Sequence, residues 1–415
     1  MATKRSANYS FLVIIFITVF IDLLGIGIII PVIPAIFFEE GSNFFTGQYT
    51  EENIKFFYTL LLACYPFMQL FGAPILGALS DKYGRKPILI IALIGTFIGY
   101  LLFAYAIITQ NLWLLFFSRM LPGFTGGNIS IIMSSIADVS DADSRTRNFG
   151  LVGMAFGVGF ILGPMIGGLL SDNTIVSWFD HHIPFIFTAF LTLLNIGLVL
   201  WRFRETLKTK LNTKVSALKG IQNIFTSFAN PRLRNVFIIV LLVSIGFTFY
   251  TQFFSVLMYE EFDFKEKDIG FLYGYVGIWL AITQGVIVRY LSYKLPPKKI
   301  LIYSIPLLAL GLSLILLPTK GWMFYLVNPV IAIFYGITSP NMTSLVSAQA
   351  DKSLQGSILG INASMLALGQ TITPLIGGYL LIQSVYLPIA ASAIIILIAF
   401  VMFYIFRKSL ISDQK

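Results

Sequence analysis

Twelve apolar runs of membrane-spanning length divide this chain, the first at residues 11–38 and the last at 385–406, with most of the charge in the segments between them. A run of about 20 apolar residues matches the hydrocarbon thickness of a bilayer, where only a helix or a closed barrel satisfies its own backbone polar groups. Runs this long predict helices, so the expected fold class is an all-α membrane protein with 12 transmembrane helices. Composition argues against a soluble domain: 57% of residues are hydrophobic and 11% charged, against about 25% charged in soluble proteins. The first run holds Asp22 and no small-residue cleavage pattern follows it, so it reads as a retained helix.

Lysine and arginine set the orientation. Twenty-three of the 28 fall on the N-terminus, the even-numbered loops and the C-terminus; four (Lys55, Lys265, Lys267, Lys320) fall on the opposite loops, and Arg119 lies inside a span. Both termini are therefore expected in the cytoplasm. The net charge of +9 is a topology signal. Spread over loops with no folded basic domain, it predicts no nucleic-acid partner. Cys64 is the only cysteine, which rules out an intrachain disulfide.

The chain also repeats itself. Leu79-Ser80, Lys82, Lys86 and Ile88-Leu89-Ile90 recur as Leu291-Ser292, Lys294, Lys298 and Ile300-Leu301-Ile302, at an offset of 212. Gly159, Pro164, Gly167 and Gly168 recur as Gly369, Pro374, Gly377 and Gly378, at an offset of 210. Two pseudo-symmetric six-helix bundles, over residues 1–203 and 235–415, are the simplest account, with a site expected at their midplane interface. Residues 204–234 form the expected cytoplasmic linker. Within it Val215, Leu218, Ile221, Ile224, Phe225 and Phe228 recur at helical spacing beside Lys214 and Lys219, which predicts an amphipathic helix on the inner membrane surface; a flexible tether is the alternative.

Four motifs carry chemistry. The first is Asp22-x-x-Gly25-x-Gly27-x-x-x-Pro31-x-x-Pro34. The second is the charged hinge from Gly77 to Pro87, in which Gly84 permits a tight turn, Asp81 accepts hydrogen bonds and Arg85 offers a planar donor fork. The third is Arg119-x-x-x-Gly123-x-x-Gly126-Gly127, and the fourth Gly159-x-x-x-Gly163-Pro164-x-x-Gly167-Gly168. In this order, on matching helices, they resemble the major facilitator superfamily, and within it the twelve-helix drug/proton antiporters that include the tetracycline exporters.

That resemblance implies a cytoplasmic gate of Gly77, Asp81, Gly84, Arg85 and Asp138, with Asp81 meeting the start of the eleventh span near Gly356 and Arg85 pairing with Asp138. The second-half copy has Tyr293 for Asp81 and Pro296 for Gly84, so the latch is expected to be one-sided. The resemblance also marks Gly159, Gly163, Pro164, Gly167 and Gly168 as the antiporter motif. Close helix packing explains the same glycines.

Asp22 and Arg119 are the only plainly intramembrane charges. Each costs about 2.5–3.5 kcal/mol at a helix centre, so each should face a cavity or a partner, and they are natural partners for one another. Removal from water and a neighbouring cation pull a carboxyl group's proton affinity in opposite directions. That balance would suit Asp22 to exchange a proton for cargo. The chain departs from the tetracycline exporters at three places: Gly99 stands where they place an acid in the third span, Leu280 where they place a histidine in the eighth, and the ninth span has no acid. Tetracycline is therefore not the expected cargo.

The second half offers hydroxyls and amides. Ser244, Thr248, Thr251 and Ser255 form a stripe flanked by Gln252; Tyr273 and Gln284 share one face, Asn328, Tyr335 and Ser339 another, and Asn362 and Gln370 add amides. These are the expected substrate-cavity residues, with interhelical hydrogen bonding as the plainer alternative. The adjacent His181 and His182 do not make a metal site. No Walker-type phosphate loop is present. No cofactor and no enzymatic activity is expected. The reading is a monomeric, proton-coupled exporter of a small organic substrate in a bacterial inner membrane. A proton or sodium symporter importing a nutrient is the alternative, and a non-cycling membrane receptor or lipid-handling scaffold is a third possibility of another class.

Overall fold

A computed structural model describes residues 2–38, 44, 49–140, 142–207, 216, 218–229, 231–348 and 355–407, and among these there is no strand. The first half holds α1 (Ala2–Phe38), α2 (Glu51–Tyr83), α3 (Arg85–Ile108), α4 (Leu112–Thr125), α5 (Ile129–Val139), α6 (Ala142–Ser171) and α7 (Ile183–Arg202). After the short α8 (Lys219–Ala229) come α9 (Pro231–Phe262), α10 (Glu266–Ile282), α11 (Val288–Lys294), α12 (Pro297–Leu314), α13 (Phe324–Ala348), α14 (Gln355–Gln383) and α15 (Tyr386–Phe406).

Ten helical segments among the described residues are long and apolar enough to cross a membrane. The expected fourth span is not one helix. Pro122 removes a backbone donor, and the Gly126-Gly127 pair lets the chain tighten into a 3-10 turn at Gly126–Asn128 that separates α4 from α5. Of the expected fifth span, Gly157–Ser171 is the apolar part. A π segment at Thr283–Ile287 joins α10 to α11 and carries Gln284.

The amphipathic helix expected in the linker is shorter than its sequence pattern. It spans Lys219–Ala229, with Ile221 and Ile224 half-buried and Phe225 exposed. Lys214 and Val215 lie outside the described residues.

The chain divides into two compact units. One comprises Met1–Thr46, Cys64–Lys219 and Lys265–Gly274; the other comprises Gly47–Ala63, Gly220–Phe264 and Tyr275–Lys415. The start of α10 thus belongs to the first unit and the start of α2 to the second. In lipid the hydrophobic effect gives helices no reason to associate, so close packing must hold each unit together. In the first, Ile14, Ile15 and Val19 of α1 meet Leu89 and Leu93 of α3 and Ile131 and Ile132 of α5 in one buried cluster. In the second, Ser392 donates to the Gly246 carbonyl at 2.7 Å, where a Cβ on Gly246 would lie 2.7 Å from Ile396. The missing side chain lets α9 and α15 touch.

Candidate functional site

The first unit builds a buried polar cluster around α1 and α4. The 3-10 turn after α4 places Asn128, whose Nδ2 donates to Asp22 Oδ2 at 2.7 Å. The other carboxylate oxygen, Oδ1, is buried with no hydrogen-bond partner among the described residues. Arg119, on α4, is 6% exposed; its guanidinium lies over the Tyr65 ring at 4.9 Å, and its Nε is likewise unpartnered. The expected direct pairing of Asp22 with Arg119 is corrected: no ion pair joins them. Asn128 and Tyr65 take the places each would have offered the other. Tyr65 and Tyr100 lie within electrostatic reach of both charges.

Two glycines shape this cluster. A Cβ on Gly25 would sit 1.8 Å from the Tyr100 hydroxyl, so the motif glycine is what admits that tyrosine. A Cβ on Gly99 would sit 2.1 Å from Pro122 Cγ. Any side chain at that position would require α4 to move.

The hinge is a second polar cluster. Gly84 ends α2 with φ +116°, a backbone conformation that side chains disfavour, and its lack of a Cβ leaves room for the Glu205 carboxylate. Arg85 is buried among three acceptors: Asp81 Oδ1 at 2.5 Å, Ser80 Oγ at 2.7 Å and Asp138 Oδ2 at 3.1 Å. The Arg85 to Asp138 contact implied by the resemblance is therefore present, and the Thr206 hydroxyl donates to the same Asp138 oxygen at 3.1 Å. The partner implied for Asp81, the start of the eleventh span near Gly356, adjoins residues 349–354, which lie outside the described residues. Gly77 sits beside Ser130, whose Oγ would be 3.3 Å from an added Cβ.

Sequence reasoning missed Glu205. Its carboxylate accepts from the backbone N–H groups of Arg85 at 2.9 Å and Lys86 at 3.1 Å, capping the N-terminus of α3, where unpaired N–H groups and the helix dipole favour an anion. It also accepts from Leu207 N–H at 2.9 Å. Burial works against its charged form, but the backbone donors of Leu207, Arg85, Lys86 and Thr206 outweigh it and hold the carboxyl below its ordinary value. The signal was an acid directly after Arg202 and Arg204 at the end of a span. Asn128 had a signal too, directly after the Gly126-Gly127 pair.

The glycine motif of α6 has two faces. Gly159, Gly163 and Gly167 meet α1: a Cβ on each would fall 2.7 Å from Leu23 Cβ, 2.8 Å from Gly27 Cα and 2.6 Å from the Ile28 carbonyl. Gly168 and Pro164 instead meet the start of α10. A Cβ on Gly168 would lie 2.2 Å from the Glu266 carbonyl, and one on Gly270 would lie 2.5 Å from the Pro164 carbonyl. Beside that contact His181 Nε2 lies 2.7 Å from Glu266 Oε1, and Lys267 lies 3.9 Å from Asp172.

The expected cavity residues of the second half separate. Asn328 is fully buried, accepts from the Tyr250 hydroxyl at 2.6 Å and donates to the Phe324 carbonyl at 3.0 Å, so it serves helix packing and not a cavity. Ser244 is spent the same way on the Leu366 carbonyl. Tyr335 stacks on Phe247. Tyr273 belongs to the first unit, 6.4 Å from the Phe160 ring, and Gln370 is exposed. Thr248 and Asn362 are buried, Gln284 and Thr251 are half-buried, and Thr251 bonds back to the Thr248 carbonyl. Gln252 is the one with an open group: its backbone carbonyl accepts from the Tyr58 hydroxyl at 2.9 Å, while its side-chain Oε1 is buried and unpartnered among the described residues.

Comparison with known proteins places these clusters in a family. The chain matches the Major Facilitator Superfamily profile over residues 15–365 and again over 236–413. It is similar to the class H tetracycline resistance protein of Pasteurella multocida, 33% identical over 385 residues, covering 91% of this chain and 90% of that one. It is similar also to multidrug resistance protein 1 of Bacillus subtilis, 29% identical over 374 residues and 89% of each chain. Among solved structures, the human organic anion transporter MFSD10 (TETRAN) superposes with a TM-score of 0.74 over 95% of this chain and 99% of that one, at 20% identity, a likeness of fold alone. The chain belongs to the major facilitator superfamily, in the branch of these resistance transporters.

Proposed function

We propose that this transporter exports a small organic molecule in exchange for protons, by alternating access of twelve spans arranged as two six-helix bundles with cytoplasmic termini in a bacterial inner membrane. The observation that carries the reading is Asp22: a buried carboxylate with one oxygen held by Asn128 and the other without a partner. A carboxylate kept only to fix packing would have both oxygens satisfied. One left open can take up a proton or accept a hydrogen bond from cargo. The resistance relatives point to drug-like cargo. The hinge around Arg85 acts as the cytoplasmic latch and the protein works as a monomer.

Tetracycline and a fluoroquinolone serve as first probes, added outside proteoliposomes that enclose a pH-sensitive dye. Exchange predicts that the lumen turns alkaline as cargo enters, and that Asp22→Asn abolishes the pH change while the protein still inserts. Acidification of the lumen would identify the symporter, and unimpaired proton movement in Asp22→Asn would remove the carboxyl from the mechanism. Silence toward every cargo would favour the non-cycling scaffold.

A further inference from the structure

We propose that the second hinge, where α11 turns into α12, is a binding surface for the headgroup of an anionic phospholipid. Its cations are Arg289, Lys294, Lys298 and Lys299; Lys298 is half-buried and the other three are exposed. None of the four forms an ion pair among the described residues. Residues 269–350 contain no aspartate or glutamate, so α11, α12 and α13 bring these cations no acid. The first hinge shows what is missing. There Lys82, Arg85 and Lys86 stand beside Asp81, Asp138 and Glu205, and the Glu205 carboxylate accepts from the backbone N–H groups of Arg85 and Lys86 at 2.9 and 3.1 Å. The repeat puts Pro297 and Lys298 at those two positions. Proline has no N–H to donate, so an anion at the second hinge must be held by side chains. Three lysines around the turn supply them.

Two tyrosines decide which kind of anion that is. Tyr290 and Tyr293 are 58% and 78% exposed on α11, a helix with no buried residue. At about 100° per residue, Arg289, Tyr290, Tyr293 and Lys294 share roughly 140° of its surface, and Lys294 reaches back over the Tyr290 ring at 4.3 Å. Exposed tyrosines at the end of a span lie at headgroup level, ring toward the acyl chains and hydroxyl in the polar layer. Free phosphate would use the lysines alone. A phospholipid gives its phosphate to the lysines and its chains to the tyrosine rings and to the exposed Ile282 and Val286 further along the same span. A cluster of four or more cations beside a span attracts anionic lipid, each cation strengthening binding about fivefold. The surface requires only that the hinge lie at the membrane boundary, as any short turn between two spans does, and is independent of the export reading.

Native mass spectrometry of the full-length protein in mild detergent counts bound lipid as phosphatidylglycerol is titrated. Phosphatidylglycerol is expected to bind more tightly than phosphatidylcholine with the same acyl chains. Combining Lys294→Gln, Lys298→Gln and Lys299→Gln should weaken it about a hundredfold, about fivefold for each charge lost, and arginine at the same three positions should restore it. Lys208→Gln, Lys210→Gln and Lys214→Gln in the linker remove the same net charge and should leave the tight adduct in place. Inorganic phosphate in excess should not displace the lipid. An equal loss in both triple glutamine variants, equal binding of phosphatidylcholine, or displacement by inorganic phosphate overturns the site. Binding is read without cargo or a proton gradient, so a protein that holds the lipid yet moves no protons would sink the export reading and leave this one standing.

Discussion

The two hinges of this transporter descend from one repeated pattern and do different work. In the first, a single buried guanidinium ties Asp81 at the end of α2 to Asp138 at the end of α5, while Glu205, just past α7, caps α3 through backbone N–H groups. In the second, Tyr293 is 78% exposed, Pro296 holds an ordinary φ of −69°, and Lys294 reaches back to Tyr290 one turn earlier. A repeat preserves helix spacing because every span needs it; the charged cluster is free to be kept on one side only. The glycine stripes teach the opposite lesson. Gly168 packs on the start of α10, and its copy Gly378 packs on the start of α2, where a Cβ would lie 2.4 Å from Thr59 Oγ1. There the duplication has kept the contact as well as the spacing.

The largest expected effect tests the asymmetry of the hinges directly. Arg85→Ala leaves two carboxylates without their shared cation and should cost about 3 kcal/mol, whereas Tyr293→Ala should stay within about 0.5 kcal/mol. Thermal unfolding of both variants in detergent measures the difference, and equal small shifts would mean that the first hinge is no latch.

Next come the paired glycines. The obstacle to a side chain at Gly168 is backbone, which cannot swing aside, so Gly168→Ala should cost about 2 kcal/mol by overpacking. Gly378→Ala meets a threonine side chain that can turn away, and should cost less. Melting temperatures in the reverse order would show that the two contacts are not equivalent copies.

Smaller again is Gly84→Ala, which forces a Cβ into a positive-φ turn, 2.5 Å from Glu205 Oε2, at about 1–2 kcal/mol. Pro296→Gly, at the copied position, should lose only the proline's stiffening of the unfolded chain, less than about 1 kcal/mol. Chemical unfolding of the pair gives the ratio.

The smallest effect is pH-dependent. Because the folded protein holds the Glu205 carboxyl below its ordinary value, its contribution is complete above the unfolded glutamate value and fades as pH falls through the lowered one. The melting-temperature gap between wild type and Glu205→Gln should therefore be widest near neutrality and narrow as pH falls below the ordinary glutamate range. A gap independent of pH would assign the effect to shape and not to charge.

Much of the fold was legible in the residues because span length and charge exclusion act locally: about 20 apolar residues predict a crossing whatever surrounds them. The Arg85 to Asp138 contact was legible through the family resemblance carried by the Gly77 to Pro87 hinge. The Asp22 partner was not. Asp22 and Arg119 looked like the natural pair because they were the only two charges inside spans, and nothing in their spacing revealed that a tight turn at Gly126–Asn128 would bring an amide to the carboxylate first. Gln252 and Asn328 likewise look alike in sequence, yet one amide oxygen is left open and the other is bonded to Tyr250.

By itself, the sequence determined that this chain lies in a membrane as apolar helices, that it is internally duplicated, and where its few buried charges sit along those helices. Only the tertiary structure decided which neighbour each polar group meets: Asn128 for Asp22, the start of α3 for Glu205, two different helices for the two faces of one glycine motif. Span formation depends on the chain's own composition against the bilayer, whereas polar partnership depends on turns and rotations that several helices settle together.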